Sequence, residues 1–216
     1  MPDRAASLTS LGREGAANSA VRSRPGLRTV TVRFGLVALV VALDLASKSA
    51  VFAWLDRLER AGKLVPDTQG HLRQPILGGW LAFLPSLNPA AAFGHFESFP
   101  YLLVAGRIAA GVFLVWLLLR ARGGRPVFTA ALVLVLGGAL GNLYDNVLRA
   151  RDLPLDFRYM DRPFGPVRDF IDVYVGAWSW HFETFNVADA CITAGAILLV
   201  ATSILRSPKE EPVAHT

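Results

Sequence analysis

Four stretches of the chain are long and apolar: about 34–55, 99–119, 127–149 and 184–206. Each has the ~20 residues that a ~30 Å hydrocarbon layer requires. Lipid offers backbone groups no hydrogen-bond partners, so each stretch is expected to be a helix. The connections differ in kind. Residues 120–126 are short and basic, whereas 56–98 and 150–183 are long and carry charges of both signs. Within them, 76–84 (ILGGWLAFL) and 171–182 (IDVYVGAWSWHF) are rich in β-branched and aromatic residues and suggest strands. The pattern therefore predicts four transmembrane helices with a small external β-sheet lying on the membrane surface. The membrane domain spans 34–206, flanked by a disordered arm at 1–33 and a tail at 207–216. A cleavable signal peptide is the rival reading of a basic arm followed by an apolar run. The length of that run, with Asp44 and Lys48 inside it, predicts that it stays attached.

Composition agrees with a membrane location. Hydrophobic residues make up 53% of the 216, and mean hydropathy is +0.40, above what a soluble domain shows. The net charge is +5, which raises the question of nucleic acid. The arginines form no stripe with interleaved aromatics, so no nucleic-acid partner is expected. They lie between the apolar runs, where they set topology. The arm, the 120–126 connection and the tail hold eleven Lys and Arg against eight in the two long loops. Both termini are therefore expected in the cytoplasm and both long loops outside. The single cysteine, Cys191, excludes an internal disulfide and reads as a small buried hydrophobe. None of the four histidines falls near it in sequence or shows a zinc spacing.

The informative residues are polar ones inside the spans, where burial is costly. Gly138, Asn142, Asp145 and Arg149 share one face of the third span. Gly137, Gly138 and Gly141 let a helix or substrate approach closely. Asp145 and Arg149 can pair along the helix, and the set also reads as a polar packing seam. Asn186 and Asp189 share a face at the start of the fourth span, where a carboxylate can also serve the helix dipole. Asp169 and Asp172 lie shortly before it. Asp169 and Asp189 can meet at the outer interface, and two adjacent carboxyls do not readily ionise together. Such a pair can activate water against an amide carbonyl without metal or cofactor. Asp44 and Lys48 are placed to pair within the first span, with snorkelling of Lys48 as the other option. Arg107 in the second span is open to snorkelling or to pairing with a buried acid, and Asn88 suits either holding a peptide or forming an Asn-Pro turn.

Taken together, DLASK at 44–48, ILGGWLAFLPSLNPAAAFG at 76–94, GGALGNLYDN at 137–146, and VRDFIDVYVGAW with HFETFNVADA across 167–190 resemble the lipoprotein signal peptidases (signal peptidase II). These are bacterial inner-membrane aspartic proteases. The motifs stand in the family's order and cover most of 34–206. The resemblance implies that Asp169 and Asp189 are the catalytic pair and Asp172 a neighbour. It implies that Asn88, Gly138, Asn142, Asp145, Asn186 and Ala188 shape or steady the site, and it matches Asp44 and Lys48 to the first-helix Asp and Lys. The implied substrates are diacylglyceryl-modified prolipoproteins, cut just before the lipidated cysteine at the outer face of the cytoplasmic membrane; a monomer is expected.

Three positions depart from the family pattern. Asn146 stands where Arg is usual, with Arg149 as the candidate substitute one turn later. Ala90 stands where Gly is usual. Residues 150–165 resemble an external insertion rich in Pro and charge, placed to act as a lid or substrate rim. A transporter would also place Asp, Asn and Arg among helices, but near the midplane and often in inverted repeats. An inactive relative that binds precursors is the third reading.

Overall fold

The computed structural model describes residues 25–67, 70–89, 98–122, 124–148, 162–175 and 180–204. Four helices in it are long and apolar enough to cross a membrane: α1 (Leu27–Arg60), α2 (Pro100–Arg120), α3 (Pro126–Val147) and α4 (Val187–Ile204). Between them lies an antiparallel sheet of β1 (Val65–Pro66), β2 (Leu72–Leu77), β3 (Leu81–Asn88), β4 (Val167–Val175) and β5 (Trp180–His181), ordered as in the sequence. Ala90, Arg149 and most of the 150–165 insertion fall outside the described residues.

Helix boundaries follow local chemistry. Proline opens both α2 and α3, where its missing N–H costs no helical bond. Helix α1 begins at Leu27 rather than Phe34, taking up part of the expected arm. Arg33 explains why the helix tolerates a cation there. Its Nη1 donates to the carbonyls of Leu118 and Ala121, both at 2.8 Å, at the C-terminal end of α2. A cation at that end satisfies orphan carbonyls and meets the negative pole of the helix dipole. At its other end α1 runs past Leu55 to Arg60, where the exposed Asp56–Arg60 pair at 2.8 Å marks a water-facing turn.

Helix α3 packs against each of the other three. Its glycines make this possible. A Cβ on Gly137 would stand 2.6 Å from Val40 of α1, and one on Gly138 would stand 2.8 Å from Ile192 of α4. Gly195 of α4 likewise sits 2.6 Å from Val135 of α3 by the same measure. Around Arg33 the contacts are apolar: Val37, Leu114, Leu118, Leu132, Val133 and Leu136 form a buried cluster. Large exposed side chains such as Leu39, Leu43, Val112, Phe113 and Val200 cover the outer faces, as expected where lipid is the solvent.

The two expected strands are each divided. Residues 76–84 contain the end of β2, a turn at 78–80 and the start of β3. Gly78 takes φ +55°, a conformation open to glycine, and so reverses the chain within the apolar run. Residues 171–182 contain most of β4 and all of β5. The sheet is fastened to α1 by edge-on rings: Trp54 meets Phe83 of β3 at 6.4 Å, and Phe83 meets Phe170 of β4 at 5.5 Å.

Candidate active site

Strand β4 pairs with β3 so that Asp169 faces Ser86 and Val167 faces Asn88. Asp169 and Asp172 lie three apart on one strand, so their side chains leave opposite faces. Asp172 turns to Arg73 of β2 at 3.3 Å, while Asp169 turns toward the helices. Asp169 is buried at 2% exposure, and Asn88 Nδ2 donates to its Oδ2 at 3.1 Å. Asn88 thus ends a strand rather than forming only an Asn-Pro turn.

Asp189 arrives from α4. Asn186 precedes the helix, and its Oδ1 accepts the N–H of Asp189 at 3.0 Å. Asp189 Oδ2 in turn accepts the N–H of Asn186 at 3.2 Å. This reciprocal cap starts α4 at Val187 rather than Thr184 and fixes where the Asp189 carboxyl points. The helix-terminus role and a position in the site are therefore held by the same side chain.

Asn186 also bridges the two acids, since its Nδ2 donates to Asp169 Oδ1 at 2.6 Å. Asn142 completes the link from α3. Its Nδ2 donates to Asp189 Oδ1 at 2.8 Å, and its Oδ1 accepts from Lys48 Nζ at 2.9 Å and Asn186 Nδ2 at 3.1 Å. The opposite orientation of that amide would set donor against ammonium and carbonyl against carboxylate. Asp169 and Asp189 both line one cleft of about 740 Å³, with Asn88, Arg107 and Asn142 on its polar wall and Ile192 and Ile197 on its apolar one. Burial first, and the charge of Asp189 second, push the Asp169 carboxyl up to about 7 from its usual 3.8.

Beneath the cleft lies a fully buried ionic layer. Lys48 reaches Asp44 at 2.8 Å and Asp145 at 3.2 Å, so it pairs inward and does not snorkel. Asp44 Oδ1 accepts the N–H of Ala188 at 2.9 Å, anchoring the start of α4 to α1. Gly138 faces the Ala188 carbonyl and Gly141 faces Asp44, so a side chain at either would push these groups away. Asp145 takes Arg168 of β4 at 2.7 Å as its partner, with further bonds from the Arg168 Nε and backbone N–H.

Two residues gain roles that sequence spacing did not reveal. Arg168 was visible only as part of the V-R-D motif, and its partner lies on another element. Arg107 lines the cleft and donates to Asn146 Oδ1. Asn146 Nδ2 donates to the Gly165 carbonyl at 2.7 Å, and its own carbonyl accepts the Gly165 N–H at 2.9 Å. The departure at Asn146 thus ties the end of the insertion to α3, beside the contact of Phe164 with Tyr101 at 5.5 Å.

The family model described as Signal peptidase (SPase) II matches residues 36–205. A lipoprotein signal peptidase of Streptomyces coelicolor is 36% identical over 178 residues, covering 82% of this chain and 72% of the relative. One from Cronobacter sakazakii is 32% identical over 198 residues, covering 87% and 98%. Among solved structures, a bacterial membrane enzyme determined at 2.3 Å shares the fold with a TM-score of 0.61 at 20% identity, covering 90% of this chain and 99% of its own. A second, at 1.9 Å, gives a TM-score of 0.59 at 21% identity, covering 86% and 99%. With the family model matching most of the chain and relatives of this identity spanning it, the chain belongs to the signal peptidase II family of membrane aspartic peptidases.

Proposed function

We propose that Asp169 and Asp189 are the catalytic pair with which this multi-pass membrane peptidase removes signal peptides from diacylglyceryl-modified prolipoproteins. The observation that carries this is the single residue Asn186, which bonds both carboxyls at one wall of the cleft. With Asp169 pushed up to about 7, a proton is still partly held on the pair near neutral pH. The ionised member takes a proton from water as that water attacks the scissile carbonyl. The protonated member polarises the carbonyl oxygen and later protonates the departing amine. Asn88, Asn142 and Asn186 hold the two carboxyls in place, and Asp44, Lys48, Asp145, Gly138 and Ala188 hold the elements that carry them.

The cleft suits a lipidated peptide. Its polar end meets the sheet, and its apolar side descends α4 past Ile192 and Ile197, where a signal helix and acyl chains would lie in the bilayer. Arg120 ends α2, and Arg122 and Arg125 follow it, at the end that meets Arg33 near the start of α1. The positive-inside rule supports a cytoplasmic location for that end, and with it the reading that both termini are cytoplasmic and the cleft faces the external side of the inner membrane. One chain supplies both acids, so a monomer suffices.

Purified protein incubated with a precursor peptide carrying a diacylglyceryl cysteine tests the reading. Cleavage just before that cysteine is expected, with Asp169→Asn and Asp189→Asn each slowing it at least ~100-fold while the protein still inserts. Undiminished cleavage by either variant refutes the assignment.

A further inference from the structure

The cleft has two ends. Down α4 from Asp189 it is walled by Ile192 and Ile197, the second about 12 Å further along the helix. In the other direction, outside the span, it is walled by Phe182, Glu183 and Thr184, which precede α4. A substrate whose signal helix lies along the apolar end must leave the acid pair at this outer end. The residues that meet the outer wall are therefore those that follow the scissile bond.

That wall is held in place. The Phe182 N–H donates to the Val173 carbonyl at 2.9 Å, and Phe185 exchanges backbone bonds with Ile171 at 2.8 and 3.1 Å. Both anchors are on β4, the strand that carries Asp169. Tyr174 faces His181 and Ile171 faces Phe185, so a step of three residues on β4 is matched by four on the facing segment. The extra residue makes a bulge, which breaks the alternation of side chains and re-aims them. Phe182, Glu183, Thr184 and Phe185 accordingly all line the cleft, as four successive residues of a regular strand would not. The rings of Phe182 and Phe185 meet edge-on at 5.6 Å and draw the two anchors together. Glu183 is exposed between them and forms no hydrogen bond or ion pair with another described residue. The other charged side chains of the described lining are engaged: Asp169 and Asp189 with Asn186 and Asn142, and Arg107 with Asn146. Acids outnumber cations three to one in that lining.

We propose that Glu183 is a specificity-determining residue: it favours precursors with Lys or Arg in the first positions after the lipidated cysteine and disfavours those with Asp or Glu there. This rests on the reading of the cleft as the place where prolipoproteins are cut. The charge is fixed by the bulge at the end of the cleft through which the mature chain leaves, and it has no protein partner to give up first. Its contact with the substrate is open to water, so the selection is a matter of a few-fold and weakens as salt rises.

The test is kcat/KM of the full-length protein in zwitterionic detergent micelles, for three diacylglyceryl precursor peptides that differ only in Lys, Ser or Glu at the position after the cysteine. The Ser peptide is the internal reference for each variant. In wild type at low salt the Lys peptide is expected to exceed the Glu peptide about fivefold, since attraction of one and repulsion of the other both count, and salt at about 0.5 M should cut that ratio to about twofold. Glu183→Gln is expected to lower the low-salt ratio at least about threefold, and Glu183→Lys to invert it. A wild-type ratio near one, a ratio insensitive to salt, or a ratio that Glu183→Gln leaves unchanged overturns the proposal. So does a ratio in Glu183→Lys no lower than in Glu183→Gln. Wild-type protein that cuts none of the three peptides removes the underlying reading instead, so the two failures are distinguishable.

Discussion

Replacing Asp169 by Asn is expected to destroy activity and yet stabilise the protein at alkaline pH. The folded protein holds the Asp169 proton up to about pH 7, against an ordinary value of 3.8. Between those values the folded state binds more protons than the unfolded state, so stability falls as pH rises through the window. About three pH units at ~1.4 kcal/mol each sets an upper bound of ~4 kcal/mol lost by pH 8. Asn carries no charge and removes that slope. It also introduces a cost, because both carboxyl oxygens of Asp169 accept amide N–H donors, from Asn186 and from Asn88. An Asn side chain turns one donor toward another, at ~1–3 kcal/mol. That cost does not depend on pH, whereas the relieved ionisation does. Thermal unfolding of wild type and Asp169→Asn in the same micelles, measured from pH 4 to 9, separates them. The midpoint of the variant relative to wild type should rise steadily from pH 4 to 7 and then level off. A difference that is flat across this range, or that moves against the variant as pH rises, refutes the argument that burial holds the Asp169 proton.

Lys48→Met should be strongly destabilising, by roughly 3–5 kcal/mol, because it leaves Asp44 and Asp145 buried without their shared ammonium; a loss under ~1 kcal/mol in a denaturation series would show that layer to be less dry than its burial indicates. Gly141→Ala should lower stability by roughly 1–3 kcal/mol despite alanine's better helix propensity. The added methyl would stand 3.0 Å from Asp44 Cγ and push that carboxylate off the Ala188 N–H. An increase in unfolding temperature would refute the close approach. Asn142→Ala should lower kcat more than it raises KM, since it removes a bond to Asp189 and a bridge between Lys48 and Asn186. An effect confined to KM would place Asn142 in substrate binding instead.

The chain's pattern carried a great deal of this fold because a bilayer leaves few options. Runs of ~20 apolar residues become helices, and acids inside or beside them must have a purpose. Asp44, Lys48, Asn142, Asp145, Asn186 and Asp189 stood out for that reason, and their spacing placed each on a face. What periodicity cannot supply is the partner across the face. Asp145 could be matched within its helix only to Arg149, which lies outside the described residues. The structure instead gives it Lys48 from α1 and Arg168 from β4, because Gly137, Gly138 and Gly141 let α1 and α4 close on α3. The same reasoning applies to Arg33, which reads as an arm residue until the carbonyls at the end of α2 come within 2.8 Å. The ILGGWLAFL run has the apolar content of one strand, but Gly78, at positive φ, opens a turn at 78–80 that divides it into two.

Arg107 shows most clearly what only three dimensions decide. A lone arginine in a span can snorkel, pair or serve the chemistry, and nothing in its neighbours along α2 selects among these. The choice comes from elements that meet only in the folded protein, where Arg107 of α2 donates to the Asn146 amide of α3. Lys48 and Arg168 are bonded in the layer below, and the described lining of the cleft brings Asp169, Glu183 and Asp189 together with Arg107, which is tied to Asn146 of α3. That wall charge is carried by α2 and fixed through an amide on α3. Its place therefore depends on the packing of those two helices as much as on either sequence, and a change that moved α2 relative to α3 would displace that side chain at the cleft without touching either acid.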